Sequence, residues 1–275
     1  MKNGKHLIAL DLDGTLLTGE KTISSYTKEI IFTAKERGHI VVIATGRPHR
    51  SSIHYYNELY LNTPMVNFNG ALVHHPKNKA WESSHNPLDH RTALRIVDAC
   101  YDFARNMMAE VQDNVFLDQH DQKFIDTFLQ HTDQLPFTVG RLHKQLREDP
   151  TSLLIYPHEE YIDELREHLD EVHADWIEHR KWGSPWHMIE IVKKGMNKAV
   201  GLDKIAQYYH IPKERIIAFG DEDNDLEMIE YAGVGVAMDN GIDELKSVAN
   251  YVTDTNDADG IGKFIEDYLN IGVKP

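Results

Sequence analysis

Four short segments carry the residue types that could do chemistry. The first is Asp11-Leu-Asp-Gly-Thr15, at the end of the apolar run 6–12. Two aspartates at i and i+2 on an extended chain point to the same side. A carboxylate such as Asp11 can attack phosphorus and form an aspartyl-phosphate. A neighbouring carboxylate, Asp13, suits a general acid that later acts as base. A bare Asp-x-Asp pair also serves as a helix cap or a metal-only motif. The apolar strand before this pair and the Gly14-Thr15 turn after it favour the catalytic use. The second segment is Ala44-Thr-Gly-Arg47. The Thr45 hydroxyl and the Gly46 N–H can hold phosphoryl oxygens, helped by the positive end of a helix starting at Pro48. The third, Lys194-Gly-Met-Asn-Lys198, opens a helix, and one of its lysines can neutralise a transferring phosphoryl group. The fourth, Phe219-Gly-Asp-Glu-Asp-Asn-Asp225, concentrates acidic oxygens that suit a hard cation such as Mg²⁺. Arg47 is a further candidate for substrate contact, with a solvated surface role as the alternative.

Each segment must sit where a scaffold can aim it, and the flanking pattern supplies one. Runs 6–12, 39–44 and 65–68 read as buried strands, and 22–37 and 48–61 as helices between them. Ser24 or Ser25 is placed to cap the first helix and Gly38 to end it. Asn69-Gly70 signals a turn, with a hairpin over 71–81. The pattern resumes after Met188. Helices are expected over 197–210, 225–232, 242–248 and 261–269, with strands over 215–219, 233–237 and 251–253. Alternation of this kind implies a parallel sheet, and ligands bind at the carboxyl ends of its strands. The middle of the chain differs. It predicts helices over 88–106 and 159–171 and strands over 114–117, 151–156 and 175–179. The expected fold is therefore α/β: a Rossmann-like parallel-sheet core from residues 1–83 and 187–275, with an α+β cap domain inserted as 84–186.

Bulk properties narrow the partners. The 275 residues carry a formal net charge of −15, with 41% hydrophobic and 27% charged residues. So acidic a surface disfavours nucleic acid and anionic membranes, and it repels anionic substrates at long range, so a small-molecule phosphate ester as substrate would need a metal ion and Lys or Arg to offset this locally. The lone cysteine, Cys100, cannot form an internal disulfide, and it reads as a small buried hydrophobe. The short polar start, the lack of a membrane-length apolar run and the single cysteine together suggest a reducing, cytoplasmic setting. The 17 histidines form no zinc-binding pattern.

The four segments, in this order and each at a strand end, resemble the haloacid dehalogenase superfamily of phosphatases. The nearest likeness is to the Cof-type branch, which carries a large α/β (C2-type) cap. Asn69-Gly-Ala71, Gly233-Val-Gly-Val-Ala-Met238, Val248-Ala-Asn-Tyr-Val-Thr253 and Asp259-Gly260 are similar to that branch as well. Asp239-Asn-Gly241 stands where the branch usually has Gly-Asn-Ala, and Ala199 where Gly is common. The resemblance implies Asp11 as nucleophile and Asp13 as general acid/base. It implies a phosphate cradle of Thr45, the Leu12 and Gly46 amides, Asn224 and Lys198, with Lys198 rather than Lys194 as the conserved-motif lysine. It also implies Mg²⁺ held by the Asp11 and Asp221 carboxylates and the Asp13 main-chain carbonyl, with Asp225 acting from behind them. The cap would exclude water and select the substrate, and Trp182, Trp186 and His187 near the return crossing are candidates to meet a leaving group or to pack a hinge. Sugar phosphates and cofactor phosphates are the expected substrates. A sugar phosphomutase with the same nucleophile and a non-catalytic phosphate sensor are the alternatives.

Overall fold

A computed structural model describes residues 4–128, 137–181 and 187–272. In chain order it begins β1 (Leu7–Leu10), α1 (Ser25–Glu36), β2 (Ile40–Ile43), α2 (His49–Glu58), β3 (Met65–Asn67) and β4 (Leu72–His74). The middle follows as β5 (Ser84–His85), α3 (His90–Cys100), β6 (Ala104–Val111), β7 (Asn114–Leu117), α4 (Gln122–Phe128) and β8 (Phe137–Val139). It continues with α5 (Leu142–Gln145), β9 (Ser152–Pro157), α6 (Ile162–His173), β10 (Ile177–Lys181) and β11 (Ile189–Lys193). The chain then returns as α7 (Lys198–Tyr209), β12 (Ile216–Gly220), α8 (Leu226–Tyr231), β13 (Val234–Met238), α9 (Asp243–Val248), β14 (Tyr251–Thr253) and α10 (Gly260–Leu269). Two compact units result. One comprises Met1–Arg47, Ser52–Ser83 and Asn197–Pro275, the other Pro48–Ser51 and Ser84–Met196.

The first unit is built on a five-stranded parallel sheet of order β14-β13-β12-β1-β2. β1 is buried on both faces, and its side chains divide by the period of two. Ile8 and Leu10 join a cluster with Ile30 and Ile31 of α1 and Ile261 and Ile265 of α10. Leu7 and Ala9 join a second cluster with Leu202 and Ile205 of α7. Each fully buried Leu or Ile contributes about 1.5–3 kcal/mol by leaving water, so this strand is pinned in register from both sides. α1 starts where Ser24 caps it, accepting a hydrogen bond from the Thr27 N–H. It stops at Gly38, whose φ of 88° is open to glycine at little cost.

The second unit holds a six-stranded sheet of order β10-β11-β9-β6-β7-β8, antiparallel except for β7 with β8. Met107, Ala109 and Val111 of β6 pack with α3 and α6. The alternate residue Met108 packs with Leu117, Phe124 and Leu154 in a separate cluster. Glu110 is buried in this unit, where Arg50 pairs with it and the Ser152 hydroxyl donates to it at 2.8 Å.

Three expectations shift. The helix expected over 88–106 ends at Cys100, and 104–111 is a strand. Its apolar residues alternate between two clusters, while Asn106 and Glu110 are buried polar residues on the face of Met108 and blur the strand period. The return to the first unit, expected at 187, comes at Asn197. Residues Ile189–Lys193 instead pair antiparallel with both β10 and β9, which keeps them in the inserted sheet. β3 does not extend the parallel sheet as a full strand. It pairs antiparallel with β4 and touches the end of β2 through one bridge, Ala44 with Val66.

Candidate active site

Asp11 follows the last residue of β1, and its N–H donates to the Phe219 carbonyl of β12 at 3.3 Å. The chain then folds back, with Leu16 N–H donating to the Asp11 carbonyl and Leu17 N–H to that of Leu12. Gly14 has φ of 72°, and a Cβ there would sit 2.1 Å from Asp221 Oδ2. Only glycine lets the β1 loop approach that carboxylate. The next residue, Thr15, donates its hydroxyl to Asp221 Oδ1 at 2.6 Å.

Lys198 stands in the first turn of α7, which Asn197 caps by accepting from the Val200 N–H. Its side chain is fully buried. Nζ donates to Asp11 Oδ1 and to Asp225 Oδ1, both at 2.7 Å. The other oxygen of Asp225 accepts from the N–H groups of Asp221 and Glu222. Ligand atoms of Asp11, Asp221 and Asp225 all lie within 4.8 Å of one another.

Electrostatics follows from this crowding. Burial raises the Asp11 carboxyl well above the ordinary range, against the pull of Lys198, and Asp225 and Asp221 add to the rise. Burial likewise pushes Asp221 up to about 7, opposed by the Thr15 hydroxyl and reinforced by Asp225. For Lys198, burial favours the neutral amine, but Asp11 and Asp225 outweigh it and hold the cation. One buried cation thus faces three carboxylates, an arrangement that a divalent cation would complete.

Asp13 is placed differently. Arg47 forks onto it, with Nε on Oδ2 and Nη2 on Oδ1, both at 2.6 Å. Lys21 Nζ also reaches Oδ1 at 2.7 Å. Burial opposes ionisation here, yet Arg47 and then Lys21 prevail and hold the carboxyl far below the usual range. Two cations thus favour the ionised form of this side chain.

Thr45 is buried at the end of β2, where its hydroxyl accepts from the Arg47 N–H at 3.1 Å. The Asn69 side chain lies against Gly46 and accepts from Asn224 Nδ2 at 3.1 Å. Leu12, between the two aspartates in the chain, buries its side chain in the hydrophobic cluster with Ile8 and Leu10. Lys194 is elsewhere, donating to the Ala174 carbonyl within the second unit.

A family model described as haloacid dehalogenase-like hydrolase matches residues 8–265. The chain belongs to that family. It is an enzyme, a phosphatase of the haloacid dehalogenase-like group. It is 52% identical over 272 residues to a 5-amino-6-(5-phospho-D-ribitylamino)uracil phosphatase, YitU, of Bacillus subtilis (strain 168), covering 98% of this chain and 100% of that one. The pyridoxal phosphate phosphatase YbhA of Escherichia coli (strain K12) is 28% identical, with 96% and 98% covered. Among solved structures, TM0651 from Thermotoga maritima superposes with a TM-score of 0.81 at 28% identity, covering 96% of this chain and 97% of that one.

In this haloacid dehalogenase-like phosphatase, all residues singled out in the four segments except Lys194 fall within the first unit, at the carboxyl ends of β1, β2 and β12 or the start of α7. Sequence reading left Arg47 between substrate contact and solvation, whereas its guanidinium is bound to Asp13. It did not find Lys21 or Tyr55, which share that cluster, or Asn240, whose amide donates to the Gly14 carbonyl at 2.8 Å. Lys21 and Tyr55 carry no local signal, since a lysine in a turn and a tyrosine on a helix are ordinary residues, whereas Asn240 lies in Asp239-Asn-Gly241, a segment the resemblance covers. Trp182 and Trp186 lie outside the described residues, while His187 is described and takes φ of 46°. Among the described residues, no helix is long and apolar enough to cross a membrane.

Proposed function

We propose that this phosphatase hydrolyses a small phosphomonoester through a covalent phosphoryl-Asp11, with Mg²⁺ as cofactor. Its substrate class is an alkyl phosphate attached to a heterocycle or sugar, with 5-amino-6-(5-phospho-D-ribitylamino)uracil first in line from the relative at 52% identity. The observation that carries the reading is buried Lys198, bridging Asp11 and Asp225 beside Asp221. A buried lysine that grips one oxygen of a carboxylate fixes its rotamer and leaves the other oxygen to attack.

The residues present fit a hard divalent cation. Their donors are all oxygen, and the close approach of Gly14 to Asp221 brings the β1 loop to the carboxylate. Asp11, Asp221 and the Asp13 carbonyl would hold Mg²⁺, whose charge, when bound, offsets that of the phosphate. The protein does the rest. The Thr45 hydroxyl, the Leu12 and Gly46 amides, Asn224 and Lys198 bind phosphoryl oxygens. An Asp11 oxygen bonds to phosphorus as the ester P–O bond breaks, and Asp13, which Arg47 and Lys21 hold ionised in the free site and which must enter this step with a proton taken up on substrate binding, gives that proton to the leaving oxygen. Asp13 then takes a proton from water, whose oxygen attacks phosphorus and frees Asp11 and inorganic phosphate.

The test is phosphate release from this substrate and from a panel of sugar, pyridoxal and flavin phosphates, with Mg²⁺ and with chelator. Release should require Mg²⁺, and Asp11→Asn should lower it by at least about 10³-fold. Undiminished turnover by Asp11→Asn would remove the nucleophile from the scheme.

A further inference from the structure

We infer that Arg47, Lys21 and Tyr55 form a clamp that positions the Asp13 carboxylate and selects Oδ2 as the oxygen that exchanges its proton. The inference rests on the phosphatase mechanism above and concerns residues of the first unit alone.

The geometry is specific. A carboxylate oxygen offers two lone-pair sites. Asp13 Oδ1 receives two donors, Arg47 Nη2 and Lys21 Nζ, and is filled. Oδ2 receives one, Arg47 Nε, and among the described residues keeps its second site. The torsion about a carboxylate is broad and nearly two-fold, and the Asp13 side chain is 44% exposed. Without the fork its plane would turn freely. With it, a leaving-group oxygen meets one oxygen in one plane.

Tyr55 builds the clamp from beneath. Its ring lies 5.6 Å from the Arg47 guanidinium carbon, and its hydroxyl donates to the Lys21 carbonyl at 3.0 Å. The Tyr55 side chain is itself buried in the core. One residue of α2 thus seats both cations. The Arg47 backbone is fixed as well, since its carbonyl accepts from Asn67 Nδ2 at 2.8 Å and its N–H donates to the Thr45 hydroxyl. Lys21 has φ of 57°, a left-handed conformation that lysine rarely takes. Its turn is held by bonds between Thr18 and Thr22 and from Lys21 N–H to the Thr18 carbonyl. Backbone strain at a residue whose side chain lands on a reacting group marks a constructed contact.

The experiment separates positioning from phosphate binding and from general damage. Two substrates are compared by kcat/KM: p-nitrophenyl phosphate, whose leaving group departs without a proton, and the best alkyl phosphate of the panel, whose leaving group needs one. Arg47→Lys keeps the charge and loses the fork. It should raise the aryl-to-alkyl ratio of kcat/KM by about tenfold over the parent enzyme, part of the 10²–10⁴ that a placed acid supplies. Tyr55→Leu should shift the ratio the same way, and Tyr55→Phe less, because it keeps the ring. If Arg47→Lys fails to fold, judged by circular dichroism and melting, Lys21→Met and the Tyr55 pair carry the test. An unchanged ratio, with both substrates losing equally, would assign these residues to phosphate binding or packing and overturn the clamp. A parent enzyme inactive on both substrates would instead refute the phosphatase mechanism on which the clamp depends.

Discussion

Replacing Lys198 by Met removes a buried cation that touches two buried carboxylates at once, with little change in volume. In water-free surroundings of effective dielectric about 20, each contact of the length seen here is worth about 6 kcal/mol before desolvation. Burying the ammonium and the carboxylates offsets most of that, and losing one partner of a buried pair costs a net of about 3–5 kcal/mol. The remaining carboxylates can relieve the loss by protonation. Asp11 is already raised by burial, and without Lys198 it rises further, which favours uptake of a proton. Lys198→Met should therefore lower stability by about 3–5 kcal/mol at pH 7 in chelator, near the low end if the proton is taken up. The penalty should shrink as pH falls toward 5, because protonated carboxylates need no counter-charge. Urea unfolding of both proteins at pH 5 and 7, followed by fluorescence and circular dichroism, reads the difference. A penalty below about 1 kcal/mol at pH 7, or one that grows on acidification, would refute the claim that Lys198 is a structural counter-charge.

Two further outcomes follow from the same site. Gly14→Ala must place a methyl where Asp221 Oδ2 now lies and must hold alanine at a φ of 72°. It should raise the Mg²⁺ concentration for half-activation by about 10–100-fold, and an unchanged value would show that the β1 loop does not shape the metal site. Asp221 titrates near 7 when buried and metal-free, and Asp11 is also raised. The folded protein therefore holds a proton on Asp221 that the unfolded chain has released between about pH 4 and 7, so this group costs stability as pH rises through that window, and Asp11 acts in the same direction. Mg²⁺ held as proposed would displace those protons, and the rise in melting temperature it produces should grow from pH 5.5 to 8. A flat increment would contradict the coupling.

The parallel-sheet core was legible from sequence because its signals are local. An apolar run of four residues, a serine cap and a glycine stop are properties of neighbours in the chain, and α1 and β1 lie within two residues of where those signals put them. The inserted sheet was legible only in part. β6 is buried on both faces with Asn106 and Glu110 among its buried residues, so the polarity of its side chains does not report which are buried. β11 follows residues that suggested a return to the core, yet its partners are β9 and β10, and pairing over tens of residues leaves no mark in a local pattern.

The same division runs through the site. The amino-acid sequence by itself determined that Asp11, Asp13, Thr45, Asp221 and Asp225 stand at strand ends, because strand and turn propensities act over a few residues. It also set the glycine at position 14, the one residue type that tolerates both its backbone angle and its neighbour. Residue types alone left Lys194 and Lys198 open and the family resemblance favoured Lys198, but only the tertiary structure supplies the physical reason, the ammonium that meets Asp11, 187 residues away in the chain. It alone placed Arg47 and Lys21 on Asp13 with Tyr55 beneath them. Charged side chains are interchangeable in a sequence. What each one does is set by the burial and the partners that folding gives it, because the energy of a charge depends on its surroundings far more than on its chemical type.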